Sequence, residues 1–216
     1  MRNFNNREKE ILKNLVKFSE TGLENSGSFF NKTVFTNLKK RALILLPPEK
    51  KAIFYIDAHR FSDEKYSRKE LHEIIETFLL LNLLIKENYI SFLAVKTPTN
   101  VYPYIENVKK VIEINENNNL FLTDKIHLKP SNAEYLYSDD DIIYKGIEIS
   151  SMMDFDLMYM ILDGVLFVSE DLRFYVNNDF KSKEESREIF NKNLSILSLI
   201  LAIILGLFGI YNPFKS

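Results

Sequence analysis

The feature that constrains this chain most is a run of 21 residues without a charge, from Leu194 to Phe214. A bilayer core about 30 Å thick needs about 20 apolar residues in a helix that rises about 1.5 Å per residue. The run is therefore long enough to cross a membrane once. We expect the run to span the membrane and lipid to surround its large apolar side chains, among them Leu194, Ile196, Leu199, Ile203, Leu207 and Ile210. The alternative is a core helix of a soluble protein, which the rest of the domain would have to cover.

The charges around the run predict its orientation. Four cations precede it, Lys181, Lys183, Arg187 and Lys192, and Lys215 follows it. The side with more Lys and Arg stays in the cytoplasm. The N-terminal sequence MRNFNNREKE has no apolar segment typical of a signal peptide. These observations predict a tail-anchored, single-pass protein with a cytoplasmic N-terminal domain.

One helix is expected to carry the apolar run. Ser182 followed by Glu185 forms a capping box, and no Gly or Pro occurs before Gly206. The pattern predicts a continuous helix over 183–211. The domain organisation that follows is a cytosolic domain over 1–180, a juxtamembrane helix over 181–193 and a transmembrane helix over 194–214.

Small residues recur every four positions within the apolar run, at Ser198, Ala202 and Gly206. Small side chains allow two membrane helices to approach closely. The spacing therefore predicts a self-association stripe and a homo-oligomer. The alternative is that small residues are simply frequent in membrane helices.

Residues 1–180 predict one compact α+β domain of short antiparallel hairpins and three to four helices. Helices are expected over 6–21, where Asn5 and Glu8 form a capping box, over 67–86 after a second box at Ser67, and over 151–162 after Ser151. Strands are expected over 89–95 and in hairpins that pair 41–46 with 52–57, 111–114 with 120–122, 134–137 with 142–149, and 165–168 with 172–176. Residues 104–111 could instead form a short helix.

Composition excludes some chemistry. The chain has no cysteine, which excludes disulfides, thiolate metal sites and cysteine nucleophiles. Residues 1–66 hold 13 basic and 8 acidic side chains, whereas residues 67–191 hold 13 and 22. The basic front could face nucleic acid or anionic lipid, and the alternative is an ordinary solvated surface. Frequent Asn, Lys and Ile favour a bacterial source.

The candidates for catalysis are two pairs, Asp57 with His59 and His72 with Glu76. Asp57 and His59 end a predicted strand, where catalytic groups often project, and the alternative is turn chemistry. His72 and Glu76 lie one helical turn apart, but Glu76 replaces the second histidine of the HExxH zinc motif. The alternative is a surface pair. We expect no metal site and no cofactor, and the acidic turn that ends at Asp141 lacks the spacing of a calcium loop.

The function that this pattern favours is a non-enzymatic interaction or sensing module that is held at the bilayer and meets a cytosolic protein partner. Whether the chain is an enzyme stays open. One alternative is a membrane-tethered regulator that binds nucleic acid with a winged-helix-like N-terminal half, although no basic recognition helix is evident and nucleic acid is the less favoured partner. The other is a hydrolase or metal enzyme that uses Asp57, His59, His72 and Glu76.

Overall fold

The computed structural model describes residues 3–20, 26–35, 41–46, 49–93, 102–103, 113–114, 120–121, 126–129, 132–138 and 141–211. The fold is mixed α+β, as predicted. The described helices are α1 Asn6–Ser19, α2 Ser26–Thr33, α3 Glu64–Lys86, α4 Phe155–Asp163, α5 Glu170–Asn177 and α6 Lys183–Tyr211. The described strands are β1 Arg41–Leu46, β2 Lys51–Asp57, β3 Ile90–Leu93, β4 Tyr102–Pro103, β5 Glu113–Ile114, β6 Leu120–Phe121, β7 Ile126–Lys129, β8 Asn132–Ser138, β9 Asp141–Glu148 and β10 Val165–Val168.

The main sheet is antiparallel, with strand order β4-β1-β2-β9-β8-β7-β6-β5. Three of the predicted hairpins are confirmed, as β1–β2, β5–β6 and β8–β9. Strands β3 and β10 pair in a separate two-stranded sheet. The β1–β2 hairpin lies inside the main sheet and is almost wholly buried. It is therefore not the exposed wing that a winged-helix arrangement requires.

Both faces of β1 and β2 are buried, which explains their continuous apolar sequences. On one face, Leu43 and Phe54 join the helices in the larger core. On the other face, Ile44 and Tyr55 join Leu136 of β8 in a smaller core. The second core brings β8 close to β2 although β9 lies between them in the sheet.

Gly146 of β9 makes this approach possible. A Cβ atom built there would lie 2.6 Å from Ile53 Cγ2 and 2.9 Å from Tyr55 Cε1. Tyr55 passes close to this position, and its hydroxyl donates to the Ala133 carbonyl of β8 at 2.6 Å. Burial raises the pKa of Tyr55 well above its usual value, because the charged phenolate is costly away from water.

Helix boundaries depart from the sequence expectations in identifiable ways. The capping box of α1 is confirmed. The predicted start of α3 at Ser67 is wrong, because Asp63 caps the helix by accepting from the Tyr66 amide. The predicted cap Ser151 is wrong as well, since Asp154 caps α4.

Residues 172–176, predicted as a strand, belong to helix α5. Ser169 caps this helix by accepting from the Leu172 amide. Leu172, Tyr175 and Val176 then share one buried helical face. Helix α2 was not predicted, and the alternatives for 104–111 lie outside the described residues.

Candidate functional site

Helix α6 is the candidate membrane anchor. Within its segment Lys183–Leu205, the most apolar 18 residues have a mean hydropathy of 1.7, and none of these residues is buried against the rest of the protein. The exposed fraction is 51% at Leu194, 62% at Leu199 and 55% at Ile203. A core helix would be covered, so the buried alternative is wrong. Within the described residues this is the one helix long and apolar enough to cross a bilayer.

The hydroxyl groups of Ser195 and Ser198, in the apolar run, are hydrogen-bonded within the helix. Ser198 Oγ donates to the Leu194 carbonyl at 2.9 Å, and Ser195 Oγ donates to the Asn191 carbonyl at 2.9 Å. Hydrocarbon offers no partner for a hydroxyl, so an internal acceptor removes the penalty for placing serine there. The run therefore suits lipid despite its two serines.

The remaining residues assigned to the anchor follow the same helix. Ile196 is also exposed, at 48%. Leu207 and Ile210 lie on the α6 backbone, and their side chains are outside the described residues. In the small-residue stripe, Ser198 and Ala202 are exposed and Gly206 continues the helix. Self-association through this stripe stays a prediction.

The joint between α5 and α6 is held in a specific conformation. Asp179 and Phe180 both have positive φ, 53° and 62°, which a bulky residue rarely adopts. The Phe180 amide donates to the Tyr175 carbonyl at 2.8 Å, and the two rings make an edge contact at 5.5 Å. Two cations of α1, Lys9 and Lys13, lie 5.2 and 5.7 Å from the Phe180 ring centroid. The joint thus ties the base of α6 to α1 and α5.

The first turn of α6 adds further contacts. Ser182 and Glu185 form the predicted capping box. Lys183 Nζ donates to Asp171 Oδ1 at 2.7 Å and lies over the Phe174 ring. A cleft of about 270 Å³ opens beside this contact, lined by Tyr89, Asp171, Phe174, Tyr175, Ser182, Lys183 and Glu184. Burial, and then the Glu87 and Asp171 carboxylates, raises the pKa of Tyr89.

Asp57 and His59 meet at the end of β2 through a turn contact. Asp57 is 7% exposed, and its Oδ1 accepts from the His59 amide at 3.0 Å. This bond caps the short 3-10 helix Ala58–Arg60, while the His59 side chain is exposed. Burial, and then the Asp57 charge, raises the pKa of Tyr144 on the neighbouring strand.

His72 and Glu76 form a contact on the outer face of α3. His72 Nδ1 lies 3.4 Å from Glu76 Oε2, but the shorter contact of Glu76 is with Arg7 Nη1, at 2.6 Å. Among the described residues, no three His, Asp or Glu side chains are grouped so that they could hold a metal ion. The two sequence-predicted pairs are therefore two local contacts, and they do not assemble a common metal centre.

A buried ion cluster that the sequence analysis did not find lies between α3 and β1. The Arg41 side chain is 1% exposed, and its Nη1 donates to Glu70 at 2.8 Å and to Glu73 at 3.0 Å. Its Nε donates to the Val34 carbonyl at 2.6 Å, just after α2. The geometry supports a structural role, because one guanidinium ties together two helices and a strand. An arginine that opens the apolar strand RALILL was the one sequence signal of it.

Comparison with known proteins gives no assignment. No protein family, curated protein or solved structure matches this chain. Function must therefore be argued from the helix, the joint and the surfaces of the domain.

Proposed function

We propose that this chain is a single-pass membrane protein whose folded domain acts as a non-enzymatic interaction or sensing module at the bilayer surface. The observation that carries the proposal is α6, a helix of 29 residues with an apolar run, whose side chains are not buried as far as they are described, up to Leu205. Exposing that many large apolar side chains to water is unfavourable, and a bilayer removes the penalty.

The dimensions of α6 fit a bilayer. From Leu194 to Tyr211 the helix has 18 residues and rises about 26 Å at about 1.5 Å per residue, within the range of about 17 to 25 residues of membrane helices. The hydrocarbon core is about 30 Å thick. Tyr is common at bilayer surfaces, so Tyr211 marks the far boundary, and Lys192 lies just outside the near one.

The orientation that we propose leaves the domain in the cytoplasm. Lys181, Lys183, Arg187 and Lys192 all lie on the domain side of the apolar run. Each is close enough to the membrane end of the helix to count in the positive-inside rule.

A sensing or recruiting role is supported by the joint at Phe180. A membrane helix tied to the domain by defined contacts can transmit a displacement or rotation, whereas a flexible tether would not. The contacts of Phe180 with α1 and α5, and of Lys183 with Asp171, are of that kind.

Membrane insertion is tested by fractionation. The full chain and a chain truncated after Asn193 are expressed, and membranes are washed with alkaline carbonate. We expect the full chain to stay in the pellet and the truncated chain to be soluble. Release of the full chain by carbonate would refute the proposal, and a pelleted but folded truncation would show attachment through another surface.

Orientation is tested with single cysteines, because the chain has none of its own. Ser150→Cys lies beyond β9 on the domain, and Ser62→Cys lies in an exposed turn before α3. In intact cells we expect neither variant to react with a membrane-impermeant maleimide, and both to react after lysis. Labelling of intact cells would place the domain outside.

A further inference from the structure

The joint between α5 and α6 has the bonding pattern of a Schellman helix stop. The Asn178 amide donates to the Phe174 carbonyl and caps α5. The Phe180 amide then donates to the Tyr175 carbonyl at 2.8 Å. In this motif the residue between the two donors, here Asp179, takes positive φ, and an apolar contact joins the ends of the turn. The edge contact of the Phe180 and Tyr175 rings, with centroids 5.5 Å apart, is that contact. These bonds end α5 and turn the chain into α6.

The residue types at this stop do not suit its backbone. Glycine usually occupies the position of positive φ, because a Cβ atom makes the left-handed conformation unfavourable. Here Asp179 and Phe180 adopt it in succession, with φ of 53° and 62°. A residue other than glycine keeps such a conformation only where surrounding contacts hold it, and strained backbone of this kind is common in switch regions. Side-chain contacts therefore hold the bend against the preference of its own backbone.

The side chains that hold the bend lie near the surface. The paired side chains of Lys183 and Asp171 are 51% and 67% exposed, and an exposed ion pair contributes little to stability. Phe180 is partly buried, and Lys9 and Lys13 lie over its ring. Exposed contacts between a cation and a ring are also weak. Weak contacts that favour the bend and backbone strain that opposes it leave a small free-energy difference between the bend and an unbent form.

The sequence permits an unbent form. Between Glu170 and Leu205 the chain contains no Gly or Pro that would break a helix. If residues 178–182 took helical φ and ψ, α5 and α6 would join into one helix over 170–211, about 63 Å long. Such a helix would remove both positive φ values and continue the backbone hydrogen bonds across the joint. The buried face of α5 lies before the joint, so it would keep its contacts in either form.

We propose that the joint is a two-state switch between the bent form and a straight form in which α5 and α6 are one helix. The proposal deepens the sensing role proposed above, and its use in the cell rests on that role. In the straight form α6 leaves the domain along the axis of α5, and Phe180 leaves the cations of α1. A contact that favours one direction of α6 shifts the equilibrium by its differential affinity for the two forms. The direction of the membrane helix and the exposed surface of α1 therefore change together.

The distance between two spin labels tests the proposal. Glu170→Cys lies at the start of α5 and Glu188→Cys on α6 before the apolar run; both positions are exposed, and the chain has no cysteine of its own. An unbroken helix sets the two positions about 27 Å apart, at about 1.5 Å per residue. The contact of Lys183 with Asp171 brings the start of α6 beside α5, so the distance in the bent form is shorter. Double electron–electron resonance on the full chain, in detergent and in nanodiscs, measures both populations.

We expect the bent form to dominate in the unaltered chain and three variants to change the ratio of straight to bent chains. Asp179→Gly relieves the strain of the bend and should lower the ratio about tenfold. Asp179→Ala favours the helix and should raise the ratio about fivefold. Phe180→Ala removes ring contacts that hold the bend and should raise the ratio about tenfold. Asn177→Ala is the matched control, because Asn177 is exposed and helical in both forms, and it should leave the ratio unchanged.

Two results would overturn the proposal. One is the absence of a component near about 27 Å from both Asp179→Ala and Phe180→Ala, and the other is an equal shift in Asn177→Ala. Circular dichroism melts of each variant separate a change at the joint from loss of fold. The distance is measured within the chain, and the detergent sample needs neither a partner nor a bilayer. A failed switch would therefore leave membrane anchoring untouched, and release of the full chain by carbonate would leave the switch untouched.

Discussion

Arginine substitution within α6 gives the sharpest energetic prediction. Twelve Leu, Ile or Phe side chains lie between Leu194 and Tyr211. At about −0.3 to −0.6 kcal/mol each, they favour insertion by about 4 to 7 kcal/mol in total. An arginine at the helix centre costs about 2.5 to 3.5 kcal/mol, and the apolar contribution of the replaced residue is lost as well. One central arginine should therefore leave insertion marginal, and two should make it unfavourable.

Ile203→Arg and the double variant Leu199→Arg/Ile203→Arg apply this argument. Both positions are more than half exposed and have no role in the core, so the domain should fold as before. We expect partial loss of Ile203→Arg from carbonate-washed membranes and nearly complete loss of the double variant. Each 1.4 kcal/mol changes the ratio of inserted to free chain about tenfold, so the two variants should be clearly separated.

Ile189→Arg is the matched control, because Ile189 is 42% exposed but precedes the apolar run. It should remain in the membrane fraction. If the double variant resists carbonate as well as the unaltered chain does, the helix does not cross the hydrocarbon and the reasoning is refuted.

Three further predictions concern the domain and its joint, and each is measured as the free energy of unfolding of the full chain in detergent. Arg41→Met should lower the free energy of unfolding by about 3 to 5 kcal/mol, because it leaves Glu70 buried without its cation. Adding Glu70→Gln should recover part of this loss. Equal stability of the single and double variants would contradict the pairing. Gly146→Ala should lower the free energy of unfolding by about 1 to 3 kcal/mol, since its Cβ would lie 2.6 Å from a side-chain carbon of β2. Unchanged stability would show that β9 and β2 can move apart to admit the methyl group. Phe180→Ala should lower the free energy of unfolding by about 1 to 2 kcal/mol, because the ring contacts of Phe180 are lost. Asp179→Gly should raise it by about 1 kcal/mol, because glycine adopts positive φ without strain. A more stable Phe180→Ala variant and a less stable Asp179→Gly variant would contradict the described joint.

Features that depend on local sequence were predictable. The apolar run and the capping box at Ser182 define α6, and Asn5 defines the start of α1. The β1–β2 hairpin follows from two apolar runs separated by a short turn. In each case the chemistry lies within a few residues of the element that it explains.

Other elements were predicted wrongly because two structural patterns fit the same residues. The segment LRFYV has strand-forming residues, yet its apolar positions also fit one helical face, and the Ser169 cap decides in favour of α5. At α3, Ser67 is a good cap by pattern. Its hydroxyl instead donates to the Phe61 carbonyl, and Asp63 begins the helix one turn earlier.

The surfaces and buried groups of the domain could not be predicted, because their members are far apart in sequence. Arg41 finds Glu70 and Glu73 across 29 and 32 residues. Lys145 of β9 lies over the ring of Phe61, which follows β2 far earlier in the chain. By contrast, the bond between Asp57 and the His59 amide is local, and the sequence analysis included such turn chemistry among its alternatives.

The depth of one residue in a bilayer tests the central claim most directly. Ile203→Cys places a unique thiol near the middle of the apolar run, and Ser150→Cys provides a reference on the domain. Each variant is spin-labelled and reconstituted into liposomes. We predict that the label at position 203 collides with oxygen and is shielded from a water-soluble nickel complex, whereas the label at position 150 shows the reverse. Equal exposure of both positions to the nickel complex would contradict a helix that spans the membrane.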